Sequence, residues 1–351
     1  MGRVIAVASQ KGGVGKTTTT INLGACLAQE GQRVLIVDVD PQGNASSGLG
    51  VNGNTQPVGV YEALLGPVEL SEAIVPTIMK GLELMTSGQR LSGAEVELVG
   101  VMARETRLKS VIGAIRDRYD FILIDCPPSL GLLTVNALTA ADSVLIPLQC
   151  EYLALEGLTQ LIAAIRLVQD HLNSSLRIEG VLLTMFDSRL NLAQQVVDEA
   201  RKFFSDRVYK TVIPRSVRLG EAPSFGKPIV LYDPHSTGAL RYSEMAQEVL
   251  GNSGASRSRG AVERPAVVDE HAGEPADEVE QEDDPIEVAS ATTRPEQVDV
   301  VVHADAMHAG AGDTEEYSDR PDGSGQDAVS QPGSGGSDEC TERPSVEVSR
   351  P

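Results

Sequence analysis

The hydrophobic positions in the first part of the chain fall into short runs that predict β-strands. Each run is nearly continuous and does not alternate with polar residues, a pattern typical of parallel strands buried on both faces of a sheet. The runs cover residues 4–8, 34–37, 121–124, 143–147, 180–184 and 208–213. We therefore expect a mainly parallel sheet.

The segments between these runs have apolar residues at helical spacing. The predicted helices cover residues 16–30, 95–118, 130–140, 153–171 and 190–204, and a last helix covers about 238–250. Strands that alternate with helices in this way are typical of a doubly wound α/β fold, in which helices flank the sheet.

The composition changes sharply after Gly251. Residues 1–251 carry 22 Lys and Arg against 26 Asp and Glu, a net charge of −4, whereas residues 252–351 carry 7 against 24, a net charge of −17. Tyr317 is the single aromatic residue of that last part. Such a segment buries too little apolar surface to offset chain entropy, so we predict a globular domain at 1–251 and a disordered acidic tail at 252–351.

The cysteines and the hydropathy of the chain predict a cytoplasmic protein. No C-x-x-C pair exists among Cys26, Cys126, Cys150 and Cys340, so neither a disulfide framework nor a metal cluster is expected. No apolar run is long enough to cross a membrane. Arg3 directly precedes the first predicted strand, which leaves no room for a signal peptide.

The segment SQKGGVGKT, residues 9–17, joins the first predicted strand to the first predicted helix and is typical of a phosphate-binding loop. Lys16 is expected to contact the β- and γ-phosphates and the Thr17 hydroxyl to bind Mg²⁺. The usual pattern G-x-x-x-x-G-K-[ST] is broken, since Gln10 stands at its first glycine, and a second lysine, Lys11, is gained. Three glycines let the backbone approach phosphate closely: Gly12, Gly13 and Gly15.

Three aspartates follow two other predicted strands. Asp125 ends the run in YDFILIDCPPS, and Asp38 and Asp40 follow the run at 34–37. The carboxyl ends of parallel strands meet at one edge of an open sheet, where ligands bind. We therefore expect these carboxylates to lie beside the phosphate loop, with Asp125 holding Mg²⁺ directly or through water.

Four segments together resemble the deviant Walker A family and, within it, the ParA/Soj partition ATPases. They are KGGVGKTTTTINLG, VLIVDVDPQGN, DCPPSLGLLTVNAL and QCEYLALEGL. The resemblance covers residues 1 to about 250 and includes VIPRSVRLGEAPSFGKPI in the second half. It implies a P-loop ATPase that uses ATP and Mg²⁺, and it does not extend to the acidic tail.

The resemblance also implies roles for single residues. Lys11 reaches across an ATP-bound homodimer to the partner's phosphates, much as an arginine finger does. Asp40 is the best candidate for orienting the attacking water, and Asp38 is assigned either to the Mg²⁺ shell or to loop structure. The residues implied in nucleotide binding are Lys11, Gly12, Gly13, Val14, Gly15, Lys16, Thr17 and Thr18, with Pro214 and Arg215 near the adenine.

Local positive charge, taken alone, is most often a solvated surface, but together with the resemblance it predicts binding to duplex DNA. Residues 201–227 contain seven Lys and Arg residues against two acidic ones, and such a cluster is typical of phosphate-backbone binding without sequence preference. The residues assigned to DNA are Arg189 and Arg218, from the resemblance, and Lys202, Lys210 and Lys227. The resemblance further implies a ParB/Spo0J-like partner that stimulates hydrolysis.

Two alternatives share the same phosphate loop. A MinD-like membrane-cycling ATPase needs a basic amphipathic C-terminal helix, whereas this chain ends in acidic residues, so no membrane contact is expected. A metabolic ATP-dependent enzyme of the superfamily is the other alternative, and stimulation by a small substrate instead of DNA would favour it.

Overall fold

The computed structural model of the chain describes residues 1–151 and 154–255. An eight-stranded sheet has the order β3-β4-β2-β5-β1-β6-β7-β8, and every pairing is parallel except β3 with β4. The strands are β1 (Arg3–Val7), β2 (Val34–Asp38), β3 (Ile74–Pro76), β4 (Leu82–Met85), β5 (Phe121–Asp125), β6 (Ser143–Gln149), β7 (Arg177–Phe186) and β8 (Val208–Pro214).

Helices cover both faces of this sheet. Their bounds are α1 (Lys16–Gln29), α2 (Asn44–Gly48), α3 (Val60–Leu65), α4 (Leu91–Glu97), α5 (Arg107–Ile115), α6 (Leu132–Ala140), α7 (Ala154–His171), α8 (Asn191–Phe204), α9 (Val217–Glu221), α10 (Ile229–Tyr232) and α11 (Thr237–Ala255). The predicted doubly wound α/β fold is confirmed.

The core has two halves, one on each face of the sheet. In β1, Val4 and Ala6 pack with α3 to α8, while Ile5 and Val7 pack with α1, α10 and α11. All four of these side chains are fully buried. Burial on both faces is the physical reason why the central strands are continuously apolar in sequence.

One predicted helix is wrong. Residues 95–118 form the end of α4, a stretch of 3₁₀ turns and the separate helix α5. Ala103 lies in the left-handed region at φ 55°, directly before the turn at Arg104–Thr106, and a residue in that conformation cannot continue a right-handed helix. The strands β3 and β4 were missed.

The end of the domain differs slightly from the expectation. Helix α11 continues to Ala255, past the predicted end near residue 250. The predicted disorder of the acidic tail from residue 256 onward lies outside the described residues, as does Cys340. Among the residues that the structure describes, no helix is long and apolar enough to cross a membrane.

Candidate functional site

The loop between β1 and α1 is shaped by left-handed glycines. Gly13 and Gly15 have φ values of 74° and 91°, a conformation that side chains disfavour. A Cβ atom added at Gly12 or Gly13 would meet nothing within 4 Å, so the loop backbone is open on that side. Thr184, in β7, donates a hydrogen bond from its hydroxyl to the Val14 carbonyl at 2.8 Å and fixes the loop.

The N-terminus of α1 has the chemistry of an anion site. No side chain caps this helix, whose N-cap is Gly15, so its first backbone N–H groups and its dipole point toward the loop. Lys16, the first helical residue, is 7% exposed, and its ammonium donates to the Lys11 carbonyl at 3.3 Å. Burial lowers the pKa of Lys16, while Asp125 and Asp40 act in the opposite direction.

Two threonines of α1 hold the carboxylate of Asp125. The Thr17 hydroxyl donates to one oxygen at 2.8 Å, and the Thr20 hydroxyl is 3.0 Å from the other. Asp125 is fully buried at the end of β5. Burial raises the pKa of this carboxyl, and the neighbouring Asp38 raises it further.

Asp38 lies beside Asp125, since the two residues are register partners in β2 and β5. Its Oδ2 accepts hydrogen bonds from the backbone N–H and the hydroxyl of Ser46, at 2.8 and 2.7 Å. Its Oδ1 accepts one from the Asp40 N–H at 3.2 Å. Burial raises the pKa of Asp38, against the effect of these donors.

Asp40 is two residues farther on and is 6% exposed. Its carboxylate accepts a hydrogen bond from the Gln42 N–H at 3.0 Å, and its carbonyl accepts one from the Ser87 hydroxyl at 2.6 Å. The structure therefore brings Asp38 and Asp40 together with Asp125 and Lys16, as the sequence predicted.

The carboxylates of Asp38 and Asp125 fit a cation that is also bound by water and phosphate, and not an all-protein metal site. Within residues 1–151 and 154–255, no group of three or more His, Cys, Asp or Glu side chains could hold a metal ion on its own. A hydroxyl at Thr17 and buried oxygens at Asp125 and Asp38 instead match Mg²⁺, which keeps several waters and is bound by one or two carboxylates plus phosphates. A cation there would also favour the ionised carboxylates.

The second lysine of the loop is placed differently from Lys16. The Lys11 ammonium lies 3.6 Å from a carboxylate oxygen of Glu151, and the two side chains are 35% and 47% exposed. Arg215 pairs with the same carboxylate at 3.3 Å. Glu151 thus connects Lys11 to Arg215, which follows Pro214 at the end of β8 and donates its N–H to the Phe186 carbonyl.

The residues assigned to DNA lie at both ends of β8. Arg189 follows β7 and is paired with Asp187, and Arg218, in α9, is paired with Glu221 at 3.0 Å and Asp233 at 3.6 Å. Lys202, in the last turn of α8, and Lys210, early in β8, are toward the opposite end of the strand. Lys227 is exposed just after the turn at Ala222–Phe225.

Sequence reasoning missed several polar residues that shape this site. Thr20 is one turn after Thr17 on the same face of α1. The run TTTT, residues 17–20, already indicates that a second hydroxyl lies beside that of Thr17. Ser87 follows β4, so it could not be placed at the sheet edge while β4 itself was missed. Ser46 and Thr184 had no motif to mark them.

Comparison with known proteins identifies the family. Residues 2–178 match the AAA_31 family model, an AAA domain. The sporulation initiation inhibitor protein Soj of Bacillus subtilis is 59% identical over 252 residues, which is 72% of this chain and 100% of that protein. The chromosome partitioning protein ParA of Myxococcus xanthus is 54% identical over 250 residues, covering 71% of this chain and 88% of that protein.

A solved structure has the same fold with nucleotide and metal. Cobyrinic acid a,c-diamide synthase from Mycobacterium smegmatis, with bound ATP analog and magnesium, is 39% identical with a TM-score of 0.65. The match covers 75% of this chain and 100% of that one. Together with the phosphate loop and its buried carboxylates, these similarities show that the chain belongs to the ParA/Soj family of chromosome-partitioning ATPases, whose cofactors are ATP and Mg²⁺.

Proposed function

We propose that this chain is the ATP-driven switch of a DNA-segregation system. In the ATP-bound form two copies form a dimer, and the dimer binds duplex DNA through its phosphate backbone, without sequence preference. Hydrolysis, stimulated by a ParB/Spo0J-like partner, returns the monomer and releases the DNA. The proposal places the protein in the cytoplasm, associated with the nucleoid.

The observation that carries the proposal is the different placement of the two loop lysines. Lys16 is buried within its own phosphate loop, whereas Lys11 is on the rim in a loose, half-exposed pair with Glu151. Exposed ion pairs are worth little, about 0–1 kcal/mol, so Lys11 is easily released. A twofold dimer would then place each Lys11 at the partner's phosphates, where a cation stabilises charge developing in the transition state.

The other site residues of each protomer bind phosphate, bind Mg²⁺ and orient the attacking water. The N–H groups of Gly12 to Thr18 and the Lys16 ammonium hold phosphate, and Thr17 and Asp125, with Asp38, hold Mg²⁺. Mg²⁺ when bound neutralises charge on the phosphates. Asp40 orients the attacking water. Its carboxylate is close to Lys16 and Asp125 and makes one described hydrogen bond, to the Gln42 N–H.

DNA binding is assigned primarily to the basic residues at the carboxyl end of β8. Arg189 and Arg218 lie there. Each is close in the chain to Phe186 or Arg215, which are joined by a backbone hydrogen bond. Their ion pairs with Asp187, Glu221 and Asp233 reduce the net charge of this surface. Such pairs are exchangeable for DNA phosphates, and the exchange makes binding sensitive to salt.

Size-exclusion chromatography with light scattering, in Mg²⁺ and a non-hydrolysable ATP analogue, tests the proposal. The wild-type protein should shift from monomer to dimer. Lys16→Ala should lose analogue binding, and Lys11→Ala should bind the analogue and remain a monomer. Lys80→Ala, which removes an exposed lysine near β4, is the matched control and should dimerise normally. A Lys11→Ala protein that dimerises like wild type would contradict the assigned role of the second lysine.

A metabolic function is the second candidate, because a solved relative at 39% identity is named as a cobyrinic acid a,c-diamide synthase. Two measurements separate the alternatives: ATP hydrolysis with duplex DNA or with cobyrinic acid, and sedimentation of the protein with anionic lipid vesicles. Stimulation by DNA supports partition, stimulation by cobyrinic acid supports the synthase, and sedimentation with vesicles supports a MinD-like membrane cycle.

A further inference from the structure

Two buried serines connect Asp38, the last residue of β2, with Asp40. Ser46, in α2, donates both its N–H and its hydroxyl to Asp38. The same hydroxyl oxygen accepts a hydrogen bond from the Ser87 N–H at 3.0 Å. The Ser87 hydroxyl then donates to the Asp40 carbonyl at 2.6 Å. A continuous chain of hydrogen bonds thus runs from Asp38 through Ser46 and Ser87 to Asp40.

The position of Ser87 follows from the sheet. β4 is parallel to β2 and pairs with it along its length, ending with Met85 opposite Val37. Residues that follow these two strands therefore meet at the same edge of the sheet. Ser87 faces the Asp38–Asp40 segment for this reason.

Close packing keeps this chain of hydrogen bonds rigid. Ser46 and Ser87 are 1% and 3% exposed, so water does not compete for their hydrogen bonds. A Cβ atom at Gly53 would lie 1.6 Å from the Ser87 carbonyl oxygen, which means that only glycine permits the observed approach of backbone to backbone. The Asp40 carbonyl also accepts the Gly43 N–H at 2.9 Å, and the loop is fixed from both sides.

We infer that Ser46 and Ser87 are positioning residues for ATP hydrolysis, which hold the Asp38 and Asp40 carboxylates in one fixed arrangement at the phosphate site. The inference rests on the proposed role of Asp40 with the attacking water. Ser87 acts through the backbone of Asp40, and Ser46 acts through the Asp38 carboxylate. Catalysis is sensitive to such small displacements, because the water must be held in line with the γ-phosphate.

A positioning role and a merely structural one predict different kinetics. If the serines only stabilise the fold, their loss lowers the unfolding temperature and nucleotide affinity together with turnover. If they position the aspartates, kcat falls more than the affinity for an ATP analogue does, since the side-chain hydrogen bonds of both serines go to the Asp38–Asp40 segment and to each other. The separation should be clearest for Ser87, which acts on Asp40 and not on Asp38. Ser47 offers a matched control: it is the next residue of α2, is exposed, and its hydroxyl donates within its own turn, to the Asn44 carbonyl.

The experiment measures steady-state ATP hydrolysis, affinity for a fluorescent ATP analogue and thermal unfolding for the full-length protein. Displacement of a group that orients a reactant can lower turnover by up to about 100-fold. Ser87→Ala loses one side-chain hydrogen bond and Ser46→Ala loses two, so kcat should fall about 10-fold in Ser87→Ala and at least as much in Ser46→Ala. KM and analogue affinity of Ser87→Ala should stay close to wild type, and the unfolding temperature should fall no further than in Thr139→Val, which also loses one buried hydroxyl. Ser46→Thr, which keeps the hydroxyl, should recover most of the turnover, and Ser47→Ala should match wild type.

Two results would overturn the inference about the serines, and a third would contradict the proposed function. Unchanged kcat in both alanine variants, with an active wild-type protein, would overturn the inference. A fall in kcat of Ser87→Ala that is matched by lost analogue affinity, or a loss of thermal stability clearly larger than that of Thr139→Val, would overturn it as well. A wild-type protein that does not hydrolyse ATP would contradict the proposed function itself, and is thereby distinguished from failure of the serine assignment.

Discussion

Replacing Thr20 with valine should destabilise the nucleotide-free protein in a way that depends on pH. Thr20 is fully buried, and its hydroxyl is 3.0 Å from both the Lys16 carbonyl and an oxygen of Asp125. Valine has nearly the same size, so the substitution removes a hydrogen bond without opening a cavity. The loss should be about 2 kcal/mol of unfolding free energy when Asp125 is ionised and about 1 kcal/mol when it is neutral.

The sign of the pH dependence follows from the pKa of Asp125. Burial raises that pKa to about 8, so the folded protein holds a proton that the unfolded chain releases at much lower pH. Stability from this group therefore falls as pH rises toward about 8. The Thr20 hydroxyl favours the carboxylate, and its loss raises the pKa further. The additional cost should be largest above about pH 8.

Urea unfolding at about pH 6 and about pH 9, followed by circular dichroism without Mg²⁺ or nucleotide, measures the effect. Circular dichroism is suitable because the chain has no tryptophan. Thr139→Val is the matched control: Thr139 is also fully buried, and its hydroxyl donates to the carbonyl four residues earlier, of Val135, as that of Thr20 does to Lys16, but the described partner of Thr139 is not a carboxylate. The control should lose the same free energy at both pH values. Equal losses for Thr20→Val at the two pH values, or a larger loss at the lower one, would refute the reasoning.

Three further predictions concern turnover and DNA. Asp40→Ala should bind ATP, dimerise and stay on DNA with little hydrolysis, and an undiminished hydrolysis rate would exclude its role with the water. Arg218→Glu should weaken DNA binding and lower the salt slope by about 0.9 for each DNA phosphate that is no longer neutralised, whereas Arg241→Glu, which alters an exposed pair with Glu244 on α11, should not. Truncation after Ala255, where α11 ends, should tighten DNA binding most at low salt, since the removed segment is strongly acidic. Superimposable salt titrations of full-length and truncated protein would show that the tail does not compete with DNA.

The central strands and the phosphate site could be predicted from sequence because each has a strong local cause. β1 after Arg3 and β5 before Asp125 are continuously apolar, since both of their faces are buried. The loop glycines and Lys16 form a contiguous pattern. Asp38 and Asp125 each follow an apolar run directly, and Asp40 is two residues after Asp38, so strand direction alone placed them at the same edge.

The missed elements lack such local signals. β4 has only four residues, and Glu83 interrupts its apolar run. That carboxylate is tolerated because the Tyr119 hydroxyl donates to it, a contact between residues far apart in sequence. The break between α4 and α5 depends on the conformation of Ala103, which no residue type indicates. Ser87 could not be predicted at the site, because it follows β4 and that strand was not predicted.

Mixing two inactive variants tests most directly whether Lys11 acts in the partner's site. One variant is Lys11→Ala, which keeps Asp40, and the other is Asp40→Ala, which keeps Lys11. In a mixed dimer, the site with an intact Asp40 receives Lys11 from the partner and is complete, while the other site lacks both residues. If Lys11 acts across the dimer, the mixture should hydrolyse ATP well above the sum of the separate variants, because a mixed dimer keeps one Lys11 that reaches the partner's site and that site is complete. If Lys11 acts within its own protomer, every site in the mixture lacks one residue, and hydrolysis no greater than that sum would contradict the account.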